Sequence, residues 1–251
     1  MKTEPVEIIG IDCATDDSKI GVALGFVDGN QVDLLEVMAC SRSRTASSAI
    51  SEWLSKVGPR RVLIAIDAPL GWPAPLAASL ADHAAGGPLG ATANELFRRT
   101  TDVFIKEKLG QTPLDVGADR IARTAHSALQ LLASVRGESR LQLRLAWSPA
   151  DVASPSVIEV YPAATLVAHR IRSKGYKKPA QTAERSEITA ALSARMHISD
   201  SAKALFNNPD CLDAAVCVLA GVDFLAGRAM APQDLPLAKR EGWIWAAGRE
   251  G

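Results

Sequence analysis

The stretch Val6-Glu7-Ile8-Ile9-Gly10-Ile11-Asp12 is a short apolar run that ends on a carboxylate, and Arg61-Val62-Leu63-Ile64-Ala65-Ile66-Asp67 repeats the pattern. Runs of this length, rich in β-branched residues, predict buried strands. Between them, residues 19–27 and 31–39 read as two more strands. Asp28-Gly29-Asn30 joins this pair, and Asp-Gly accepts the positive φ of a tight hairpin turn. Residues 45–57 place Ile50, Trp53, Leu54 and Val57 on one helical face, and Gly58-Pro59 ends that helix. The hairpin makes its own strands antiparallel. The helical crossover before residues 61–67 predicts a parallel pairing with residues 6–12. Asp12 and Asp67 would then meet at one sheet edge, outside the carboxyl ends of the strands, where open α/β sheets bind ligands.

Residues 72–150 differ in character. They contain Gly86-Gly87-Pro88-Leu89-Gly90 and helical stretches near 92–108 and 117–136, and read as a mainly helical insertion. Residues 156–161 return to strand; 183–196 and 209–227 read as helices. The expected architecture is α/β: a mixed five-stranded sheet flanked by helices. It forms one domain over residues 1–251, with the insertion at about 72–150. No internal repeat is visible.

The composition narrows the classes. Of 251 residues, 47% are hydrophobic and 22% charged, as in an ordinary globular chain. Lys plus Arg, 28, equals Asp plus Glu, 28, which argues against bulk cationic attraction to nucleic acid but leaves room for a local basic track. The four cysteines form no CxxC pair, so a zinc ribbon is not expected; reduced core thiols in a cytoplasmic protein are. The N-terminus lacks the apolar stretch of a signal peptide, and no run is long enough to span a membrane.

The chemistry-bearing residues are carboxylates. Asp12 and Asp67 sit at strand ends, and Asp67 leads into Ala68-Pro69-Leu70-Gly71, a rigid exit that can aim it outward. Either one also fits a turn-capping role. Glu159 falls within a strand that should be buried, so it needs a cation or hydrogen bonds, and an arginine partner would serve. Asp210 and Asp213 are three apart on one helical face, after an Asn208-Pro209 helix start. Asp210 complements the helix dipole there; Asp213 lies among Leu212, Ala214, Ala215 and Val216. Asp12, Asp67, Glu159 and Asp213, with Asp210 beside them, suit Mg2+ or Mn2+, which prefer oxygen ligands. A basic stretch follows Glu159: Arg170, Arg172, Lys174, Lys177 and Lys178 can track a phosphate backbone, or form a solvated loop. Arg99 can reach a phosphate or pair with Asp102. The four histidines show no ligand spacing.

Six segments occur in order: Gly10-Ile11-Asp12, Ile66-Asp67-Ala68-Pro69-Leu70-Gly71, Arg99-Thr100-Thr101-Asp102, Glu159-Val160-Tyr161-Pro162, Asp210-Cys211-Leu212-Asp213-Ala214-Ala215 and Glu241-Gly242-Trp243-Ile244. The set resembles the family called domain of unknown function 429, whose members are described as predicted RNase H-like nucleases. Two threonines separate Arg99 from Asp102, where a tighter cluster is the family expectation. The resemblance implies an RNase H-like fold, with Asp12, Asp67 and Asp213 at the metal-binding positions of the first strand, fourth strand and final helix. The expected function is hydrolysis of nucleic acid by a carboxylate-bound metal. Two rivals stand beside it. Gly10-Ile11-Asp12-Cys13-Ala14-Thr15 also resembles the phosphate-binding hairpin of actin-like ATPases and sugar kinases, which would make the partner a nucleotide. Those enzymes need a second like-folded domain and a second Gly-rich loop, and the sequence offers neither. The other rival is a non-catalytic binding protein that keeps the fold.

Overall fold

The computed structural model describes residues 4–57, 61–117 and 119–249. The described strands are β1 (Val6–Asp12), β2 (Gly21–Asp28), β3 (Gln31–Ala39), β4 (Arg61–Asp67), β5 (Arg144–Leu145), β6 (Ser156–Glu159) and β7 (His197–Ile198). They form one mixed sheet in the order β5-β6-β4-β1-β2-β3-β7. The helices are α1 (Ala46–Val57), α2 (Ala74–Leu80), α3 (Ala93–Phe97), α4 (Thr100–Leu109), α5 (Asp119–Ser139), α6 (Pro162–Ala168), α7 (Thr182–Ser193), α8 (Asp200–Leu205), α9 (Pro209–Leu225) and α10 (Leu235–Glu241). None of the described helices is long and apolar enough to cross a membrane. The proposed helix stop at Gly58-Pro59 lies outside the described residues.

Two central pairings are those the sequence predicts: β2 runs antiparallel to β3, and β4 runs parallel to β1 with Asp12 opposite Asp67. The structure adds an antiparallel pairing of β2 with β1. The sheet is wider than five strands, because the two-residue β5 and β7 add parallel edges to β6 and β3. β2 begins at Gly21 rather than residue 19, since Asp16 accepts hydrogen bonds from the Ser18 backbone N–H and hydroxyl and caps a 3-10 turn over Asp17–Lys19. β6 ends at Glu159, and Pro162 opens α6 at the first helical position. The helical stretch expected near 92–108 is two helices that meet at Arg98-Arg99.

Alternation along the strands explains the three layers. Ile8, Leu63, Ala65 and Ile158 face one side and pack with Leu212, Ala215 and Val218 of α9. Ile9, Ile11, Val62, Ile64, Ile66 and Val157 face the other and pack with Ile50, Trp53 and Leu54 of α1 and Ala128, Leu132 and Val135 of α5. A strand buried on both faces reads as a continuous apolar run, which is why β1 and β4 stand out in the sequence. α5, the last helix of the expected insertion, lies within the core.

α9 lies unusually close to the sheet because small residues line the contact. A Cβ added at Gly10 would sit 2.1 Å from the Ala214 carbonyl oxygen, and one at Gly21 would sit 2.1 Å from that of Asp210. Both obstacles are backbone, so neither can rotate away. Gly10→Ala is therefore expected to push α9 off β1 and destabilise the protein by about 1–3 kcal/mol or more, as overpacking does. Urea denaturation checks it; a loss below about 0.5 kcal/mol would contradict so close a packing.

Candidate functional site

Asp12 and Asp67 occupy the same register at the carboxyl ends of adjacent parallel strands. Such strands run about 4.8 Å apart. Asp12 is in phase with Ile8 and Gly10, and Asp67 with Leu63 and Ala65, so both belong to the α9 face of the sheet. Asp213, fully buried, projects from the first turns of α9 beside Ala214, whose carbonyl abuts Gly10. The close helix–sheet contact thus delivers a third carboxylate to the two strand ends. Asp210, half-buried, lies one turn earlier, where the Asn208 side chain accepts from its backbone N–H and caps the helix.

The electrostatics record this crowding. Burial pushes the Asp12 carboxyl well above its usual range, and the charges of Asp213 and Asp67 add to it while Lys177 opposes them. Burial likewise lifts Asp67 from 3.8 to about 7, against Lys177 and with Asp213 and Glu159. Asp210 is raised for the same kind of reason: burial first, then Asp213. Like carboxylates gathered out of water protonate or take a cation.

Lys177 supplies one positive charge. Its Nζ lies 2.5 Å from Asp213 Oδ2, an ionic contact without the alignment of a hydrogen bond. Desolvation works against the ammonium, but Asp213, Asp12 and Asp67 outweigh it and raise its pKa. The Tyr176 hydroxyl donates to Asp213 Oδ1 at 2.7 Å. Tyr161 is also near: burial raises its hydroxyl, with Asp67 next in effect. The chain has two tyrosines, and both therefore stand at this site. Sequence reading passes over Tyr176 because it sits in a basic stretch whose charges draw attention; its adjacency to Lys177 was the available signal. Cys13 adjoins Asp12, but burial and the aspartates push its thiol up to about 12, so it is no thiolate nucleophile. The four cysteines are free and buried.

Glu159 and Arg99 do not join this group as expected. Glu159 pairs with Ile66 rather than Asp67, and that one-residue offset assigns it to the opposite phase of the sheet. Both its oxygens are engaged: Oε1 accepts from Arg99 Nη2 at 2.7 Å, and Oε2 from Arg99 Nη1 and the Leu70 N–H, each at 2.9 Å. Arg99 is 1% exposed. Its Nη2 and Nε also donate to Asp102, and its Nη1 to the Glu241 carbonyl. It is a buried structural hub with no donor turned to solvent for a phosphate. The Glu241 side chain completes the hub, accepting from the N–H groups of Ala74 and Thr100 at the starts of α2 and α4.

The basic stretch is an exposed loop between α6 and α7. Arg172 pairs with Glu187 at 2.7 Å, Lys174 and Lys178 are exposed, Arg170 has interactions of its own, and Lys177 turns inward to the aspartates. His169, unassigned from sequence, bonds buried Asp223 at 2.8 Å, and Arg228 holds the other oxygen of that carboxylate. This cluster joins α6 to α9, away from the strand-end aspartates.

The donor chemistry of the aspartate group fits a hard divalent cation. It is all carboxylate oxygen, its charges repel, and Asp213 Oδ2 is buried without an aligned hydrogen bond. Among the described residues, no three His, Cys, Asp or Glu side chains are yet drawn close enough to form a finished ligand set.

No curated protein matches the chain. Among solved structures it is similar to T. thermophilus RuvC in complex with Holliday junction substrate, at 13% identity over 84% of this chain and 91% of that one, with a TM-score of 0.34. A family model described as "Protein of unknown function (DUF429)" matches residues 10–236, and the chain belongs to that family.

Proposed function

We propose that the chain is a metal-dependent phosphodiesterase that hydrolyses nucleic acid on an RNase H-like fold. Asp12, Asp67 and Asp213 would hold Mg2+ or Mn2+, with Asp210 at the rim of the group. The observation that carries this reading is the in-register pair Asp12 and Asp67 at parallel strand ends, met by Asp213 from α9. The fold reading is supported by the sheet order, in which the antiparallel run β3-β2-β1 continues into the parallel β4 and β6. When bound, such cations activate water and stabilise the leaving oxygen of a phosphodiester. The protein's part is placement. The sheet fixes two aspartates, α9 fixes the third, and burial makes them crave positive charge. Lys174 and Lys178, exposed on the loop that carries Lys177, offer a cationic face to a phosphate backbone.

Calorimetric titration with Mg2+ and Mn2+ tests the reading. Wild type is expected to bind, and Asp67→Asn to bind at least ~10-fold more weakly, as loss of a ligating carboxylate requires. No binding by wild type would overturn the metal site. Binding without cleavage of DNA or RNA in Mn2+ would remove the nuclease and leave a metal-binding protein.

A further inference from the structure

The 172–181 loop is built to place one ammonium. Gly175 turns the chain at φ +72, which favours glycine. Tyr176, 2% exposed, anchors on Asp213 Oδ1. Arg185 of α7, also buried, secures the loop backbone from beneath. Its Nη1 donates to the carbonyls of Tyr176 and Lys178, and its Nη2 to that of Pro179. The Lys178 N–H donates in turn to Gln181 Oε1. A surface loop held by this many ties, two of them buried, serves a position rather than a connection. The position it secures is that of Lys177 Nζ, 2.5 Å from an Asp213 oxygen that has no other partner. The Lys177 side chain is 61% exposed, so a path to solvent is open for its withdrawal.

We propose that Lys177 is the built-in counter-ion of the carboxylate site: its ammonium holds the place of a divalent cation beside Asp12, Asp67 and Asp213, and metal enters as Lys177 leaves Asp213. This rests on the reading of the aspartates as metal ligands. The chemistry is competition for the same oxygens. One ammonium offsets one charge, and a divalent cation, with two, would satisfy more of the carboxylate oxygens that Asp12, Asp67 and Asp213 bring together. Once withdrawn, Lys177 joins Lys174 and Lys178 on the outer face of the loop, so metal entry adds a cation to the surface that would meet phosphate.

The test is Mn2+ titration by calorimetry of wild type, Lys177→Met and Tyr176→Phe. Methionine keeps the stem and removes the competing charge, so Mn2+ should bind at least ~10-fold more tightly than to wild type, about 1.4 kcal/mol. Tyr176→Phe keeps the lysine and releases one anchor of its loop, so its affinity should rise by a smaller factor; it also covers the case in which Lys177→Met folds poorly. Hydrogen exchange on wild type gives a second reading: Mn2+ should speed amide exchange across residues 172–181 and leave β1 and β4 unchanged. Equal or weaker Mn2+ binding by both variants, with wild type binding normally, would overturn the inference and leave the metal reading standing. Absence of binding in all three proteins would overturn both.

Discussion

Arg99→Ala is expected to destabilise the protein by about 3–5 kcal/mol, the cost of breaking a buried ion pair and stranding its partners. For a chain of this size, that is a fall in Tm of roughly 6–20 °C. The size follows from what the guanidinium holds. Glu159 and Asp102, 3% exposed each, would lose their cation and stand as buried, unpaired carboxyls. The Glu241 carbonyl would lose the Arg99 donor. Arg99→Lys should recover little, because a single ammonium cannot reproduce forked bonds to two carboxylates. The hub also bears on the proposed site. Glu159 Oε2 binds the Leu70 N–H, three residues after Asp67, and a Cβ at Gly71 would strike the Glu241 carbonyl at 2.6 Å. The chain leaving β4 is thus fixed by the network around Arg99. Urea denaturation of Arg99→Ala and Arg99→Lys measures the stability. A loss under about 1 kcal/mol would show that the buried carboxylates have other means of compensation.

Three of the six ordered segments that suggest the family form this one hub, and the Leu70-Gly71 end of a fourth packs on it. Arg99 and Asp102, Glu159, and Glu241 with Gly242 are neighbours in space, although as many as 142 positions separate Arg99 from Glu241 in sequence. Gly242 adopts φ +85, and a Cβ there would meet Glu159 Oε2 at 2.8 Å. Those segments carry structural chemistry, and the aspartate segments carry the proposed reactive chemistry. Composition does not separate the two, because a buried Glu needs a cation whether that cation is arginine or a metal. Phase does: Asp12 and Asp67 pair with each other, while Glu159 pairs with Ile66. Register across a long insertion is not readable from one sequence, and in the structure Glu159 pairs with Ile66 and takes Arg99 as its cation.

The central sheet was legible for a definite reason. β1 and β4 are buried on both sides, and two-sided burial writes itself as an unbroken apolar run. The Asp28-Gly29 turn has the residues that its backbone demands; Gly29 sits at φ +58. The elements that were missed have two residues, as in β5 and β7, or six or seven, as in α2, α6, α8 and α10. At that length no periodicity develops, and tertiary contact decides the conformation. Tyr176 and Lys177 were illegible as a pair for another reason. Their role depends on Arg185, which ties their loop from a different helix.

Asp67→Asn is expected to be more stable than wild type at pH 8 without metal, by on the order of 2–4 kcal/mol. Burial, with help from Asp213 and Glu159 and against Lys177, lifts the Asp67 carboxyl from 3.8 to about 7 in the folded protein. Below about pH 4 the group is protonated in both folded and unfolded chains, and it contributes no pH dependence. Between about pH 4 and 7 the folded protein retains a proton that the unfolded chain has released. Stability must fall across that window as pH rises, because the folded state binds more protons. Above about 7 the loss is complete and constant. Asp12 shifts in the same direction and steepens the fall. Asparagine keeps the shape and carries no charge, so it removes the Asp67 share of the slope and relieves its neighbours. Divalent metal should have the opposite effect on the two proteins. Mn2+ would stabilise wild type by mass action at pH 8 and leave Asp67→Asn nearly unchanged at the same concentration. Urea denaturation of both proteins from pH 5 to 8, in EDTA and then in Mn2+, checks every step. Should Asp67→Asn prove the less stable protein in EDTA at pH 8, mutual repulsion would not govern these aspartates, and the argument for a cation among them would lose its electrostatic basis. A variant that gains stability in EDTA and loses the response to Mn2+ would show one carboxylate acting as a liability to the metal-free fold and a ligand to the metal.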